Sequence, residues 1–266
     1  MPPVRVLLAG ESWMSHTVHV KGFDSFTTSE YAEGASWLIA GLEAGGASVT
    51  FLRNHEAVRE FPSSMEEFAS FDVVLLSDIG SNTLLLSPDT FVHSRPQPNR
   101  CDLLRDYVLG GGGLAMIGGY LSFSGIDGKA RYQRTSIAAV LPVEMCDGDD
   151  RVELPQGVTP HVVTPDHPVL AGIEGPWPQF LGYNQLRPAP TGQVVARVRD
   201  DVFLAVGEFG RGRSAAFASD CGPHWGPPAF VEWTHYGRLW VNLVRWLARV
   251  EDSTGSKGVV SDRSST

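Results

Sequence analysis

An acid, a thiol and an imidazole lie close together in Asp220-Cys221-Gly222-Pro223-His224. They follow Ala216-Phe217-Ala218-Ser219, an apolar run after the turn-like Gly210-Arg211-Gly212, which reads as a buried strand. Ligands of open α/β sheets bind just beyond the carboxyl ends of strands. The segment is therefore a candidate site. A thiol beside an imidazole becomes a nucleophile if its pKa falls. Three residues apart in a Gly-Pro loop, Cys221 and His224 need not touch, and a small buried core cysteine is the preferred reading of Cys221. Asp220 ends its strand either as an acid/base or as a cap for the next helix. His224 is kept as a site residue because Gly222-Pro223 and Trp225-Gly226 present it on a shaped loop.

Three more segments carry polar chemistry. Glu11 to Ser29 follows the first apolar run and has little periodicity. It reads as a substrate loop, with Glu11 and Asp24 on ligand donors, Lys21 on an anion and His19 for proton transfer, against the plainer reading of a polar surface loop. His16-x-x-His19 is a possible metal pair, but further ligands are not evident nearby, so substrate binding is preferred and no metal or cofactor is expected. Gly118-Gly119-Tyr120 forms a sharp turn whose backbone N–H groups suit an oxyanion or carboxylate. Tyr183 and Asn184 form a polar aromatic pair suited to a pocket wall or to packing. Asp78, at another strand end, reads first as a cap or turn residue.

The chain has 266 residues, a net charge of −9 and three cysteines. The acidity argues against nucleic-acid binding. Cys101, Cys146 and Cys221 are odd in number and widely spaced, which fits a reducing, cytoplasmic setting rather than a disulfide framework. No run is long enough for a membrane span. The Ser-, Gly- and charge-rich stretch from Glu251 to Thr266 is expected to be a disordered tail.

The elements that must hold these residues alternate. Strands are expected at Val4–Gly10, Ser48–Leu52, Phe71–Asp78 and Leu114–Gly119. Helices are expected at Glu30–Ala44, Ser64–Phe68, Asn99–Leu109 and Tyr236–Val250. Strands apolar on both faces, alternating with helices, indicate a mainly parallel sheet covered on both sides, an α/β flavodoxin-like three-layer sandwich. Residues 1–250 are read as one domain, with 152–199 a β-rich excursion that returns to the sheet. Phe203–Gly210 and Ser214–Ser219 read as a hairpin across Gly210-Arg211-Gly212. The four glycines Gly110 to Gly113 precede a strand, whereas a phosphate loop follows one, so no nucleotide site is inferred.

Val6 to Ser12, Asp72 to Asp78, Gly110 to Ser124 and Ala216 to Gly226 together resemble the class I glutamine amidotransferase-like superfamily. More narrowly, the chain is similar to glutamine amidotransferase-like cytoplasmic proteins of bacteria. Trehalose-utilisation-type proteins and the trimerisation domain of some β-galactosidases share the plan. Active members of the superfamily place a cysteine on a strand-to-helix elbow, with a His and a Glu near the end of a late strand. The resemblance puts that elbow at Met116 to Ser122, where no cysteine stands, and the late strand offers Ser219 to His224 in place of His-x-Glu. Glutaminase chemistry by that route is not expected.

Two readings remain. One is an enzyme acting on a small polar metabolite, a hydrolase or acid/base lyase, with His224, Asp220, Glu11 and Cys221 as its candidate catalytic groups. The other is a non-catalytic binding module that kept the cleft and lost the nucleophile. Homo-oligomers are common, and Trp177 in Gly175-Pro176-Trp177-Pro178 is the candidate subunit contact.

Overall fold

Val6-Leu7-Leu8-Ala9 has no polar side chain, so it is stable only with both faces covered. In the computed structural model, which describes residues 2–250, all four residues are fully buried. In chain order the strands are β1 (Arg5–Gly10), β2 (Ser12–Lys21), β3 (Asp24–Glu33), β4 (Ser48–Leu52), β5 (Val73–Ser77), β6 (Gly113–Ile117), β7 (Val143–Met145), β8 (Arg151–Val158), β9 (His161–Val162), β10 (Phe180–Asn184), β11 (Leu186–Pro188), β12 (Gly192–Val198), β13 (Asp201–Phe209) and β14 (Gly212–Phe217). The helices are α1 (Ser36–Ala44), α2 (Asn54–Glu60), α3 (Met65–Phe68), α4 (Ser81–Leu85), α5 (Pro88–Phe91), α6 (Arg100–Leu109), α7 (Pro228–Val231) and α8 (Tyr236–Leu247).

The central sheet runs β4-β1-β5-β6-β14-β13-β12-β9. Its first five strands are parallel and its last three pairings antiparallel. The fold is a flavodoxin-like α/β sandwich. Taken in chain order, the parallel strands lie 2-1-3-4-5, so the chain reverses its direction of travel between β1 and β5. That reversal opens a crevice at the carboxyl edge.

Helix α8 shows why the layers hold. Tyr236, Leu239, Trp240, Leu243, Val244 and Leu247 fall on one stripe and are all buried. Phe217 at the end of β14 meets Trp240 edge-on at 5.0 Å. Asn99 caps α6 by accepting from the N–H groups of Cys101 and Asp102.

Three expectations change. The helix expected from Glu30 begins only at Ser36, because Asp24–Glu33 pairs residue for residue with Ser12–Lys21 as an antiparallel hairpin. The expected substrate loop is therefore an arm of two strands. Trp177 is buried, packed against Trp233 at 5.4 Å and Phe203 at 5.8 Å, and is not available as a subunit contact. The tail from Glu251 lies outside the described residues. Between 152 and 199, β8 pairs with β10 apart from the central sheet, while β9 and β12 extend it.

Candidate active site

The parallel strands end level. Gly10 pairs with Ser77, Ser77 with Ile117, and Ile117 with Phe217. Just beyond them the backbone turns through left-handed conformations at Glu11 (φ 48°), Asp78 (φ 45°) and Gly119 (φ 151°). Such angles are rare outside glycine and cost energy that the surroundings must offset. Two of these residues are acids, and the charge of Asp78 is felt at Glu11.

Glu11 is 3% exposed, and its Oε1 accepts from Ser77 Oγ at 2.5 Å. Asp220, also 3% exposed, accepts the Gly222 N–H at 3.1 Å. A carboxylate oxygen of each and Cys221 Sγ all lie within 4.8 Å of one another. Burial, then the charge of Asp78, pushes Glu11 up to about 7. Burial, then the charges of Glu11 and Asp78, pushes Asp220 well above the usual range. Two carboxyls this close in a dry site titrate as a coupled pair. Glu11 titrates near neutrality, and Asp220 holds its proton above the ordinary carboxylate range.

Cys221 belongs to the same cluster but not as a nucleophile. It is fully buried, and burial together with the Glu11 and Asp220 charges raises its pKa well above the ordinary value. It keeps its proton 3.9 Å from Ser77 Oγ. The nucleophilic reading of Cys221 is therefore corrected: its neighbours are acids, whereas an activated thiol needs positive charge beside it.

Asp78 is the acid that the sequence reading passed over as a cap. Its Oδ1 accepts the Leu121 N–H at 2.6 Å. Burial raises its pKa, opposed by that N–H and by the nearby His224. The elbow donors expected to hold a ligand anion are thus already engaged. Leu121 N–H holds Asp78, and Gly119 N–H donates to Asn184 Oδ1 at 3.0 Å. Asn184 returns a bond from Nδ2 to the Gly119 carbonyl at 3.2 Å and another to Asp150 Oδ1 at 2.7 Å. Asn184 braces the elbow; it does not line a pocket. Tyr183 alternates to the other side of β10, where its hydroxyl donates to Asp201 at 2.8 Å.

Aromatic rings form the rim. His224 stacks between Tyr120 at 5.5 Å and Trp13 at 5.8 Å. The Tyr120 hydroxyl and Trp225 Nε1 donate to the two oxygens of Glu153, each at 3.0 Å. His224 is exposed and meets the carboxyl cluster only through its field on Asp78. His224, expected as a catalytic group beside an acid, makes ring contacts with Trp13 and Tyr120 instead.

His19, Lys21 and Asp24 do not join the cluster. They lie toward the far end of the arm, roughly 23–30 Å from its root at ~3.3 Å per residue. His19 stacks on Phe26 at 4.5 Å, Lys21 sits over the same ring at 5.5 Å, and Lys21 pairs across the strands with Asp24. His16 and His19 are an odd number of residues apart on one strand and so point to opposite faces. They cannot share a metal ion. Glu11, Asp220 and Cys221 offer two oxygens and a sulfur close enough for one, though a cation would first have to displace their protons.

Replacing Asp78 with Asn should lower the Glu11 pKa. The substitution removes a like charge, while the amide oxygen can still accept from Leu121. A Glu11 titration midpoint unchanged in Asp78→Asn would show that burial alone sets it.

A family model described as "Putative glutamine amidotransferase" matches residues 5–249. The chain belongs to this family. Two solved structures of cytoplasmic proteins from Salmonella typhimurium are similar throughout. STM3548 is 48% identical with a TM-score of 0.88, covering 91% of this chain and 98% of its own. STM1381 is 45% identical with a TM-score of 0.89, covering 92% and 99%. A ThuA-like protein from Parabacteroides merdae shares the fold alone, at 12% identity and a TM-score of 0.53 over 92% of this chain and 90% of that one. No curated protein matches.

Proposed function

We propose that this family member is an acid/base enzyme, a hydrolase or lyase acting on a small polar metabolite in the cytoplasm. The observation that carries the reading is the buried Glu11–Asp220 pair at the crevice where the sheet reverses. Two carboxyls held at different protonation states supply an acid and a base at one pH. Asp220 gives its proton to the departing group, and Glu11 takes one from water or from the substrate. Burial, and then the charge of Asp78, keeps Glu11 poised near neutrality. Because the pair is nearly closed off, Trp13, Tyr120 and His224 act as the rim that opens to admit substrate. The cytoplasmic description of both Salmonella relatives and the three free cysteines support the location.

Glutaminase activity is not part of this proposal. The segment Gly118 to Ser122 carries no thiol, and two of its N–H groups are held by Asp78 and Asn184. That same occupancy favours the second reading, a binding module without catalysis. A turnover screen of small hydroxy acids, amides and sugar acids separates the two. Wild type should turn over a substrate, Asp220→Asn should lose about 10²-fold or more, and Cys221→Ser should stay within a few-fold of wild type. Ligands that stabilise wild type and Asp220→Asn equally, with no turnover of any of them, would establish the binding module.

A further inference from the structure

A cavity of about 600 Å³ lies on the shoulder of the candidate site, with Gly80 and Leu121 in its lining. That is the volume of an ordinary small-molecule pocket. Most of the remaining lining comes from residues 127–134, which bring Lys129, Arg131 and Arg134 to it. In a chain of net charge −9, these cations face a single lining acid, Asp127. Lys129 pairs with Asp127 at 2.8 Å. The side chains of Arg131 and Arg134 make no hydrogen bond or ion pair with the described residues. Arg5, Arg53 and Arg151, by contrast, each engage an acid.

The segment that carries these arginines is held firmly. Tyr132, next to Arg131, is fully buried, and its hydroxyl donates to the Ile79 carbonyl at 2.6 Å. The Ser81 N–H donates to the Ala130 carbonyl at 2.9 Å. Gly128 and Gly148 let two loops close on each other, since a Cβ on Gly128 would lie 3.2 Å from the Gly148 Cα. Arg131 sits at φ 62°, a left-handed angle that costs a non-glycine residue energy and is concentrated at active sites and ligand clamps. Gln133 also lines the cavity, and its Oε1 is buried without a partner. A buried polar atom in that state calls for one, and rotation of the terminal amide toward a ligand hydroxyl supplies it.

We propose that this pocket binds a small phosphomonoester, with Arg131 and Arg134 on the phosphate and Gln133, Asn82 and Thr83 toward the hydroxyls of the rest of the molecule. A carboxylate offers two oxygens and one charge, whereas a phosphate ester offers three oxygens and about two charges. Two free guanidinium forks beside a lysine match the second set, because each fork takes phosphate oxygens in pairs. Free orthophosphate would leave most of the cavity and its neutral polar lining unused. The site is separate from the Glu11–Asp220 pair. Leu121 joins the two, since it lines the pocket and its N–H holds Asp78.

The test is calorimetric titration of the full chain with glycerol phosphate, glucose phosphate, glycerate and orthophosphate. At least one ester should bind about tenfold or more tightly than glycerate and orthophosphate. Arg131→Gln and Arg134→Gln should each weaken that ester about tenfold or more. Both side chains are exposed and unpartnered, so the unfolding midpoint should stay in place. Asp127→Asn should strengthen binding by releasing Lys129, and Arg197→Gln on β12 should leave it unchanged. Failure of both esters to bind, glycerate or orthophosphate binding as tightly as the esters, or equal losses in Arg197→Gln and Arg131→Gln would each overturn the proposal. The readout is binding without turnover, so this proposal and the acid/base reading fail separately.

Discussion

Glu11→Gln is expected to lower turnover by about 10²- to 10⁴-fold and, at the same time, to make the protein more stable above pH 7. The two effects have one cause. Glu11 is pushed up to about 7 in the folded chain, from an ordinary value of 4.5. Below pH 4.5 both folded and unfolded states keep the proton, and the residue carries no pH-dependent penalty. Between pH 4.5 and 7 the unfolded state releases it while the folded state holds it, so stability falls as pH rises. Above pH 7 the folded state must bury a carboxylate, and the loss from this group is complete, on the order of 3 kcal/mol. Glutamine has no proton to release and still accepts from Ser77 Oγ. Denaturant unfolding across this range should give a falling slope for wild type and a flatter one for the variant. A variant less stable than wild type above pH 7, or one of equal slope, contradicts the assignment. Asp220 acts in the same direction, so part of the wild-type slope should remain in Glu11→Gln.

Gly10→Ala is expected to cost at least about 4 kcal/mol, placing it among the few most damaging single changes. Gly10 has φ 122°, and an added Cβ would lie 1.7 Å from the Ser77 carbonyl oxygen and 3.3 Å from Ile79. That oxygen belongs to the strand that β1 pairs with, so relief requires β1 and β5 to separate where the crevice begins. It also accepts the Glu11 N–H at 3.0 Å, so the carboxyl pair would shift with the strands. Gly46→Ala is the control. Gly46 also has positive φ (84°), but an added Cβ there meets nothing within 4 Å, and the cost should be only about 1 kcal/mol of backbone strain. A Gly10→Ala protein with the wild-type unfolding midpoint would show that the β1/β5 junction is more yielding than this geometry implies.

The sheet was legible in the sequence because its strands are apolar on both faces. Leu7, Leu75 and Ala115 can only be buried, and the glycines and polar residues that follow them mark where each strand stops. Asp220 and Glu11 were legible for the same reason, since an acid at the end of such a run must lie at the carboxyl edge. What periodicity could not give was direction. Tyr183 and Asn184 are neighbours in sequence, yet strand alternation sends one to Asp201 and the other to the elbow. Asp78 looked like a turn residue, and it is one, but its carboxylate also accepts the Leu121 N–H and its charge reaches Glu11. The arm was missed because its residues are mainly Ser, Thr, Val and His, and its polar–apolar alternation is confined to the short stretch Thr17-Val18-His19-Val20-Lys21. The available signal was the two-residue turn Gly22-Phe23 between Val18-His19-Val20 and Phe26-Thr27-Thr28, where Gly22 at φ 67° takes the first turn position that hairpins favour for glycine.

The coupled titration of Glu11 and Asp220 can be observed directly. In protein labelled with carbon-13 at its Asp and Glu side-chain carboxyls, NMR titration should show one Glu resonance with a midpoint near 7, absent in Glu11→Gln. It should also show an Asp resonance that stays protonated through the ordinary carboxylate range and moves when Glu11 is replaced. If every carboxyl carbon instead titrates with an ordinary midpoint, independent of Glu11, the buried acid/base pair does not exist and the proposed chemistry falls with it.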